Sequence, residues 1–392
     1  MLKFAKMHVY LHVPFCTRRC SYCDFAIAVR REAPSEAYVE AVLKEWSLWQ
    51  ADPVWEQQLA EVRSIYFGGG TPSKVTPGAI GRLLDRIAAD RGVAADAEIT
   101  LEANPEDVTT ATAAAWRSAG VNRVSLGVQS FNPAVLAWMH RTHTAEQVPR
   151  AVEALRRAGI PNLSLDLIFG LPPALERNWL DDLRQALALE PEHLSLYGLT
   201  VEAHTPLGRW TGRGEVIPVA DDSYAAEFLL SHTTLTAHGF EHYEVSNAAR
   251  PGRRARHNSA YWQRAPFIGL GPAAHSGFGN ERRWNVRDWA AYQRLIAAGR
   301  SPHEGREVLD TAAVNLEELY LGLRTSDGLP PDRVSLDDSD AWQAAGWAMV
   351  EAGRLRLTPE GWLRLDALVA SVGRESGVGS QESAVGREEA GL

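Results

Sequence analysis

The chain has 392 residues, 45% of them hydrophobic and 23% charged, which is enough apolar material for one large domain of barrel type plus a smaller one. A formal charge of −9 and a pI near 5.8 exclude the overall basic field on which nucleic-acid binding draws. No apolar run approaches the ~20 residues of a membrane-spanning helix, and Met1 to Lys6 lack the apolar core of a secretory signal, so a cytoplasmic protein is expected.

In chain order, Met7 to Val13 alternates Val9, Leu11 and Val13 and reads as a buried strand. The loop from Pro14 to Phe25 follows, and then Ser35, a candidate N-cap, opens a helical pattern to Trp49. Arg63 to Phe67 is a second strand, broken by Gly68-Gly69-Gly70-Thr71-Pro72; Thr76-Pro77 then opens a helix to about Asp90. Glu98 to Glu102 is the third strand, and its helix ends near Gly120. Val121 to Gln129 is the fourth, with helical segments up to a C′ glycine at Gly159. Leu163 to Phe169 is the fifth; a helix from Asn178 to Leu189 precedes the sixth, His193 to Leu199. Strands alternating with helices over about 190 residues imply βαβ units and a parallel sheet. Six of them suggest an incomplete (β/α)6 barrel.

The rhythm then changes. Asp222 to Ala237 reads as helix, Glu241 to Val245 as strand, and Arg250 to Arg256 as a basic loop before His257-Asn258-Ser259-Ala260-Tyr261-Trp262. Two helical stretches from Leu309 to Gly353, the strand-like Arg354 to Thr358 and a last helix from Pro359 to about Val369 suggest a small α+β, winged-helix-like module. The expected division is 1–205 for the barrel, 206–305 for an extension carrying the His257 motif, and 306–371 for the module. Residues 372–392, rich in Gly, Ser and Glu, are expected to be a disordered tail.

All three cysteines fall in one stretch, Cys16, Cys20 and Cys23, spaced C-x3-C-x2-C. A mononuclear zinc site wants a fourth ligand, and His12 lies in a strand rather than at finger spacing. An iron–sulfur cubane takes one thiolate per iron, and three thiolates leave one iron open to a small molecule. The other unusual residues fall where the expected strands end, as working groups do in barrels. These are the glycines up to Pro72, Glu102 with Asn104, Gln129, Asp166 and Tyr197. A triple glycine is by default a flexible turn, but after a buried strand it also admits a ligand's polar atoms to the backbone N–H groups. Glu102 and Asp166 are carboxylates in apolar strands and need partners, an arginine such as Arg141 or a ligand's ammonium and hydroxyls. His257 is ambiguous. A histidine beside aromatics is more often a hydrogen-bonded structural residue than a ligand. Yet an axial imidazole, the Tyr261-Trp262 pair and the guanidiniums of Arg250, Arg253, Arg254 and Arg256 would suit a flat ligand with two acid groups.

With its aromatic before the third cysteine, the motif resembles that of the radical S-adenosylmethionine (SAM) superfamily, and from about Met7 to Val369 the chain is similar to the group containing oxygen-independent coproporphyrinogen III oxidase and the haem chaperone HemW. The resemblance implies a radical SAM barrel with a [4Fe-4S] cluster on Cys16, Cys20 and Cys23 and SAM on its open iron. It implies SAM contacts at Tyr10, Tyr22, Gly69, Gly70, Thr71, Glu102, Gln129, Arg141 and Asp166, and a haem-associated role for His257. The oxidase type carries a further cysteine where this chain has Phe25, and a longer segment ahead of the cluster. The chaperone type carries H-N-x-x-Y-W, which stands here at His257 to Trp262. The resemblance therefore points to a chaperone that binds haem and passes it to an unidentified acceptor protein, leaving open a dimer and peripheral contact with membrane haemoproteins. The alternative is a radical SAM enzyme that decarboxylates coproporphyrinogen or modifies a related porphyrin.

Overall fold

The computed structural model describes residues 6–52 and 61–375. Strand β1 (Met7–Val13) is buried along its whole length, as an apolar strand covered on both faces must be. A short ladder follows, in which β2 (Phe15–Cys16) pairs with β3 (Ala28–Val29) and closes the intervening loop on itself. Beside β1 lie five parallel strands in chain order: β4 (Val62–Gly69), β5 (Val93–Ala103), β6 (Arg123–Gln129), β7 (Asn162–Phe169) and β8 (His193–Gly198). The crossovers are helical: α1 (Ser35–Gln50), α2 (Pro77–Arg91), α3 (Thr110–Ala119), α4 (Pro133–Trp138) with α5 (Gln147–Arg157), and α6 (Trp179–Ala188). Their apolar faces and the strands share one continuous core.

Helices α7 (Pro206–Gly212) and α8 (Asp221–Ala237) lead to an antiparallel edge beyond β8, made of β9 (Glu241–Glu244) and β10 (Asn247–Ala249). Helix α9 (Arg256–Trp262) then carries the chain across to β11 (Phe267–Leu270), which pairs in parallel with the far side of β1. Antiparallel strands β12 (His275–Phe278), β13 (Glu281–Asn285) and β14 (His303–Val308) extend that edge, with α10 (Trp289–Ala297) between the last two. Among the described residues no pairing joins the two ends of this 12-stranded sheet. It nevertheless curls, because Cys16 beyond β1 and Tyr197 on β8 line the same cavity. This is the incomplete (β/α)6 barrel that the alternation of strands and helices suggests.

Helices α11 (Thr311–Arg324) and α12 (Leu336–Ala344), the hairpin of β15 (Ala348–Glu351) and β16 (Arg354–Leu357), α13 (Pro359–Trp362) and α14 (Leu365–Glu375) form the small α+β module. Trp362 pins α13 to α11 by donating its indole N–H to the Leu323 carbonyl at 3.0 Å. Helix α14 continues to Glu375, past the start expected for the tail, whose remaining residues 376–392 lie outside those described.

Local details differ from the sequence reading for identifiable reasons. Pro34, not Ser35, occupies the N-cap of α1; the Ser35 hydroxyl instead accepts from the Thr76 N–H at 3.1 Å and ties α1 to the start of α2. Strand β5 begins at Val93 rather than Glu98, because Val62 at the start of β4 gives Val93 a partner. The strands β12 to β14 and helix α10 were not foreseen. Strands β13 and β14 are dense in charge, β12 is four residues long, and such short or water-facing strands carry a weak apolar pattern.

Candidate functional site

Backbone bonds hold the cysteine loop from several sides. The Ala28 N–H donates to the Pro14 carbonyl at 2.7 Å and the Arg30 N–H to the Cys16 carbonyl at 2.8 Å. Ser21, fully buried, donates its N–H to the Met139 carbonyl at 3.3 Å and accepts from the Leu207 N–H at 2.8 Å. The loop is thus fixed between α4 and α7 independently of its thiols. Burial pushes the Cys16 thiol up to about 11 and the Cys23 thiol up to about 12. Metal binding must therefore displace protons from them. His12 is no fourth ligand here: its Nε2 bonds the Ala26 carbonyl at 3.0 Å and its Nδ1 the Tyr10 hydroxyl at 3.2 Å.

The glycines after β4 are sites of close approach. A Cβ on Gly70 would lie 2.8 Å from the Pro14 carbonyl carbon and 3.0 Å from Cys16 Sγ. Gly69 has φ +109°, and a Cβ there would lie 2.6 Å from the His12 ring. Its N–H donates to Glu102 Oε2 at 3.0 Å. Gly69→Ala should combine left-handed strain with overpacking and cost about 3 kcal/mol, read as a lower denaturation midpoint with an unchanged slope. A midpoint equal to wild type would mean that this backbone is not the one described.

The two carboxylates in the strands both have partners, though not the expected arginine. Glu102 Oε1 accepts from the Tyr66 hydroxyl at 2.8 Å, and Asp166 accepts from Ser125 at 2.9 Å and Ser164 at 3.2 Å. Burial raises the pKa of both, Glu102 to about 7, against the pull of the Tyr66 hydroxyl. Arg141 is bonded elsewhere: its Nη2 donates to Asn104 Oδ1 at 2.6 Å and the Gly127 carbonyl at 2.8 Å, and its Nη1 lies 3.9 Å from Cys20 Sγ. Gln129 sits at a register shift between β6 and β7 with φ 65°, a costly conformation for a residue with a side chain.

Cys16, Cys20, Tyr22, Cys23, Gly69, Gly70, Thr71, Glu102, Gln129, Arg141 and Asp166 all line one cavity of about 610 Å³. The ends of β1 and of β4 to β8 therefore converge on the loop that bears the thiols. Part of the wall was invisible in the sequence: Tyr224 and Phe228 of α8, Tyr320 of α11, and Trp362, Arg364 and Leu365 of the C-terminal module. No local motif marks these residues. The nearest signal is a pair of glycines, Gly170 and Gly198, whose Cβ atoms would strike the Tyr224 ring at 2.7 and 2.6 Å.

Two residues are not brought to the cavity. Tyr10 lies beneath its floor, stacked on Tyr66 at a centroid separation of 6.1 Å. His257 is 1% exposed, and both ring nitrogens are engaged, Nδ1 with Ser64 Oγ at 2.7 Å and Nε2 with the Tyr261 hydroxyl at 2.8 Å. Burial lowers its pKa, so the ring is neutral. The arginines expected beside it pair locally: Arg254 with Glu241 and Asp327, and Arg256 with Asp96.

The donor set suits an iron–sulfur cluster. Three thiols share one end of a cavity, with the Thr71 hydroxyl 3.3 Å from Cys16 Sγ and a guanidinium facing Cys20, both able to stabilise sulfur carrying negative charge. Among the described residues no three His, Cys, Asp or Glu side chains are arranged around a single ion. A cubane, with one thiolate per iron, does not need its sulfurs to converge on one point.

Residues 10–186 match the Radical SAM superfamily. The chain is 36% identical over 370 residues to the Heme chaperone HemW of Mycobacterium tuberculosis, covering 93% of this chain and 94% of that one. It is 40% identical over 276 residues to the Heme chaperone HemW of Escherichia coli, covering 70% of this chain and 71% of that one. Its fold matches that of the coproporphyrinogen III oxidase HemN of Escherichia coli, a radical SAM enzyme, with a TM-score of 0.77 over 95% of this chain and 91% of that one. At 21% identity that second likeness is one of fold.

Proposed function

We propose, for a chain that belongs to the HemW family and carries a radical SAM domain over residues 10–186, that it is a cytoplasmic haem chaperone. In this reading it binds haem, carries a SAM-ligated [4Fe-4S] cluster and passes haem to an acceptor protein, including haemoproteins at a membrane surface. The observation that carries the reading is kinship at 36% identity across 93% of the chain. Among the described residues no helix is long and apolar enough to cross a membrane.

Cys16, Cys20 and Cys23 would hold the cluster, which when bound supplies an open iron for SAM and a store for one electron. The chain's own residues then bind and orient. Glu102 and Asp166 offer buried carboxylate oxygens to hydroxyl and ammonium donors, and Gly69 and Gly70 let a ligand approach the backbone closely. Thr71 and Arg141 face the sulfurs, and Tyr224, Phe228, Tyr320 and Trp362 give the cavity an aromatic wall.

Glu102 gives a pH signature. Its carboxyl is raised from the usual range to about 7 by burial, so the ionised acceptor grows as pH rises through 7. SAM affinity should improve about tenfold between pH 6 and pH 8 through this group. Glu102→Gln should lose that part of the dependence. A wild-type profile superimposable on that of the variant would show that Glu102 does not meet the ligand.

The haem part of the reading does not rest on axial ligation by His257, which would have to break a hydrogen bond to free a nitrogen. The rival reading, a coproporphyrinogen decarboxylase, is favoured by the fold it shares with HemN but not by Phe25. Anaerobically reconstituted protein titrated with haem should develop a Soret band that saturates at about one haem per chain. A linear rise with no saturation, as for free haem, would remove the haem part of the reading.

A further inference from the structure

We propose that His257 is a positioning residue of the cofactor cavity, acting through Tyr66 on Glu102. The inference rests on the reading that Glu102 meets SAM. Strands β4 and β5 each carry residues of one face at two levels. Ser64 and Glu98 lie at the lower level, where they are register partners, and Tyr66 and Glu102 lie nearer the thiols. The lower pair docks α9. Glu98 accepts from the backbone N–H groups of Arg256 at 3.1 Å and His257 at 3.0 Å, and Ser64 Oγ bonds Nδ1 of both His257 and His8 at 2.7 Å. The upper pair belongs to the site, because the Tyr66 hydroxyl donates to Glu102 Oε1 at 2.8 Å.

The His257 ring joins the two levels. It is stacked beneath Tyr66 with centroids 5.0 Å apart and planes 29° apart. Above, Tyr66 meets the backbone of β4, since a Cβ on Gly68 would lie 2.8 Å from its ring and 3.1 Å from Glu102 Oε1. On its flank lies Tyr10. The phenol is thus held between its own strand and the imidazole, and removal of the imidazole leaves it room to tilt away from Glu102. Buried side-chain networks of this kind are coupled, so deletions along them are not additive. The motif His257 to Trp262 accordingly serves the floor of the SAM site from inside the barrel. Of its arginine neighbours, Arg254 and Arg256 are tied into surface ion pairs rather than facing the cavity.

The experiment uses the full chain with its cluster reconstituted, and compares His257→Ala, His257→Phe, Tyr66→Phe and the double variant His257→Ala/Tyr66→Phe. SAM affinity is measured by equilibrium dialysis, the SAM-induced change in the spectrum of the reduced cluster by paramagnetic resonance, and haem by Soret titration on the same samples. His257→Ala and Tyr66→Phe should each weaken SAM about tenfold, and the double variant should be no weaker than the worse single one. His257→Phe keeps a ring under Tyr66 and should restore SAM affinity to within about threefold of wild type. Haem binding should be unchanged throughout. Wild-type SAM affinity in folded His257→Ala would overturn the proposal, as would additive losses in the double variant. If His257→Ala does not fold, Tyr66→Phe decides, because wild-type SAM affinity in it would overturn the proposal. A loss of SAM in His257→Phe as large as in Tyr66→Phe would overturn it too, since a ring still lies beneath Tyr66. Absence of haem from the wild type with the SAM results as expected would instead count against the chaperone reading alone.

Discussion

Cys20→Ala should yield a folded protein that cannot be reconstituted, with iron and sulfide below about a tenth of wild type and SAM binding lost. Each thiolate of a three-cysteine set holds a separate iron, so no neighbouring thiol can substitute, and His12 is bonded through both nitrogens. The fold has little stake in this side chain. Cys20 is only partly buried, and its sulfur meets Arg141 Nη1 at 3.9 Å. The loop is held instead through the backbone of Cys16 and Ser21. Stability of the metal-free variant should stay within about 1 kcal/mol of metal-free wild type. Full iron and sulfide content in Cys20→Ala would remove the cluster assignment, whatever the kinship.

The second large effect is an expected absence of turnover. With coproporphyrinogen, SAM and a strong reductant, the wild-type chain should form no decarboxylated product above a control lacking protein. The cavity shows why this follows from one residue. Phe25 lines it beside Cys23 and Asp24, where the oxidase type carries a further cysteine. A phenyl ring offers neither a sulfur nor an exchangeable proton at that point. Product accumulating to one equivalent per chain or more would move this chain to the oxidase class despite its 36% identity to a HemW.

What the sequence discloses and what it hides follow from how each residue reaches the site. The thiols, Gly69, Gly70, Glu102, Gln129 and Asp166 sit at or near the ends of successive parallel strands, and a βαβ repeat brings such ends to one rim whatever the details of packing. Their convergence was therefore legible. Tyr224 and Trp362 arrive from helices some way along the chain, by tertiary packing that leaves no period in the sequence. His257 is the instructive case. Its arginine neighbours suggested an exposed anion site, but Glu241, Asp327 and Asp96 neutralise Arg254 and Arg256, and those partners are distant in sequence. Tyr10, a SAM contact only by resemblance, lies on the strand beneath the cavity, and the resemblance carries no information about depth in a curled sheet.

Haem handover is the property that separates a chaperone from both an enzyme and a protein that merely binds haem. The decisive measurement loads the reconstituted chain with one equivalent of haem and mixes it with a haem-depleted membrane fraction containing apo-haemoproteins. Absorbance of the reconstituted acceptors is followed against haem supplied free or on albumin. Loss of the chain's Soret band should coincide with acceptor reconstitution that is faster than from either control. Haem retained on the chain in the presence of excess acceptor, or transfer no faster than from albumin, would contradict the chaperone assignment.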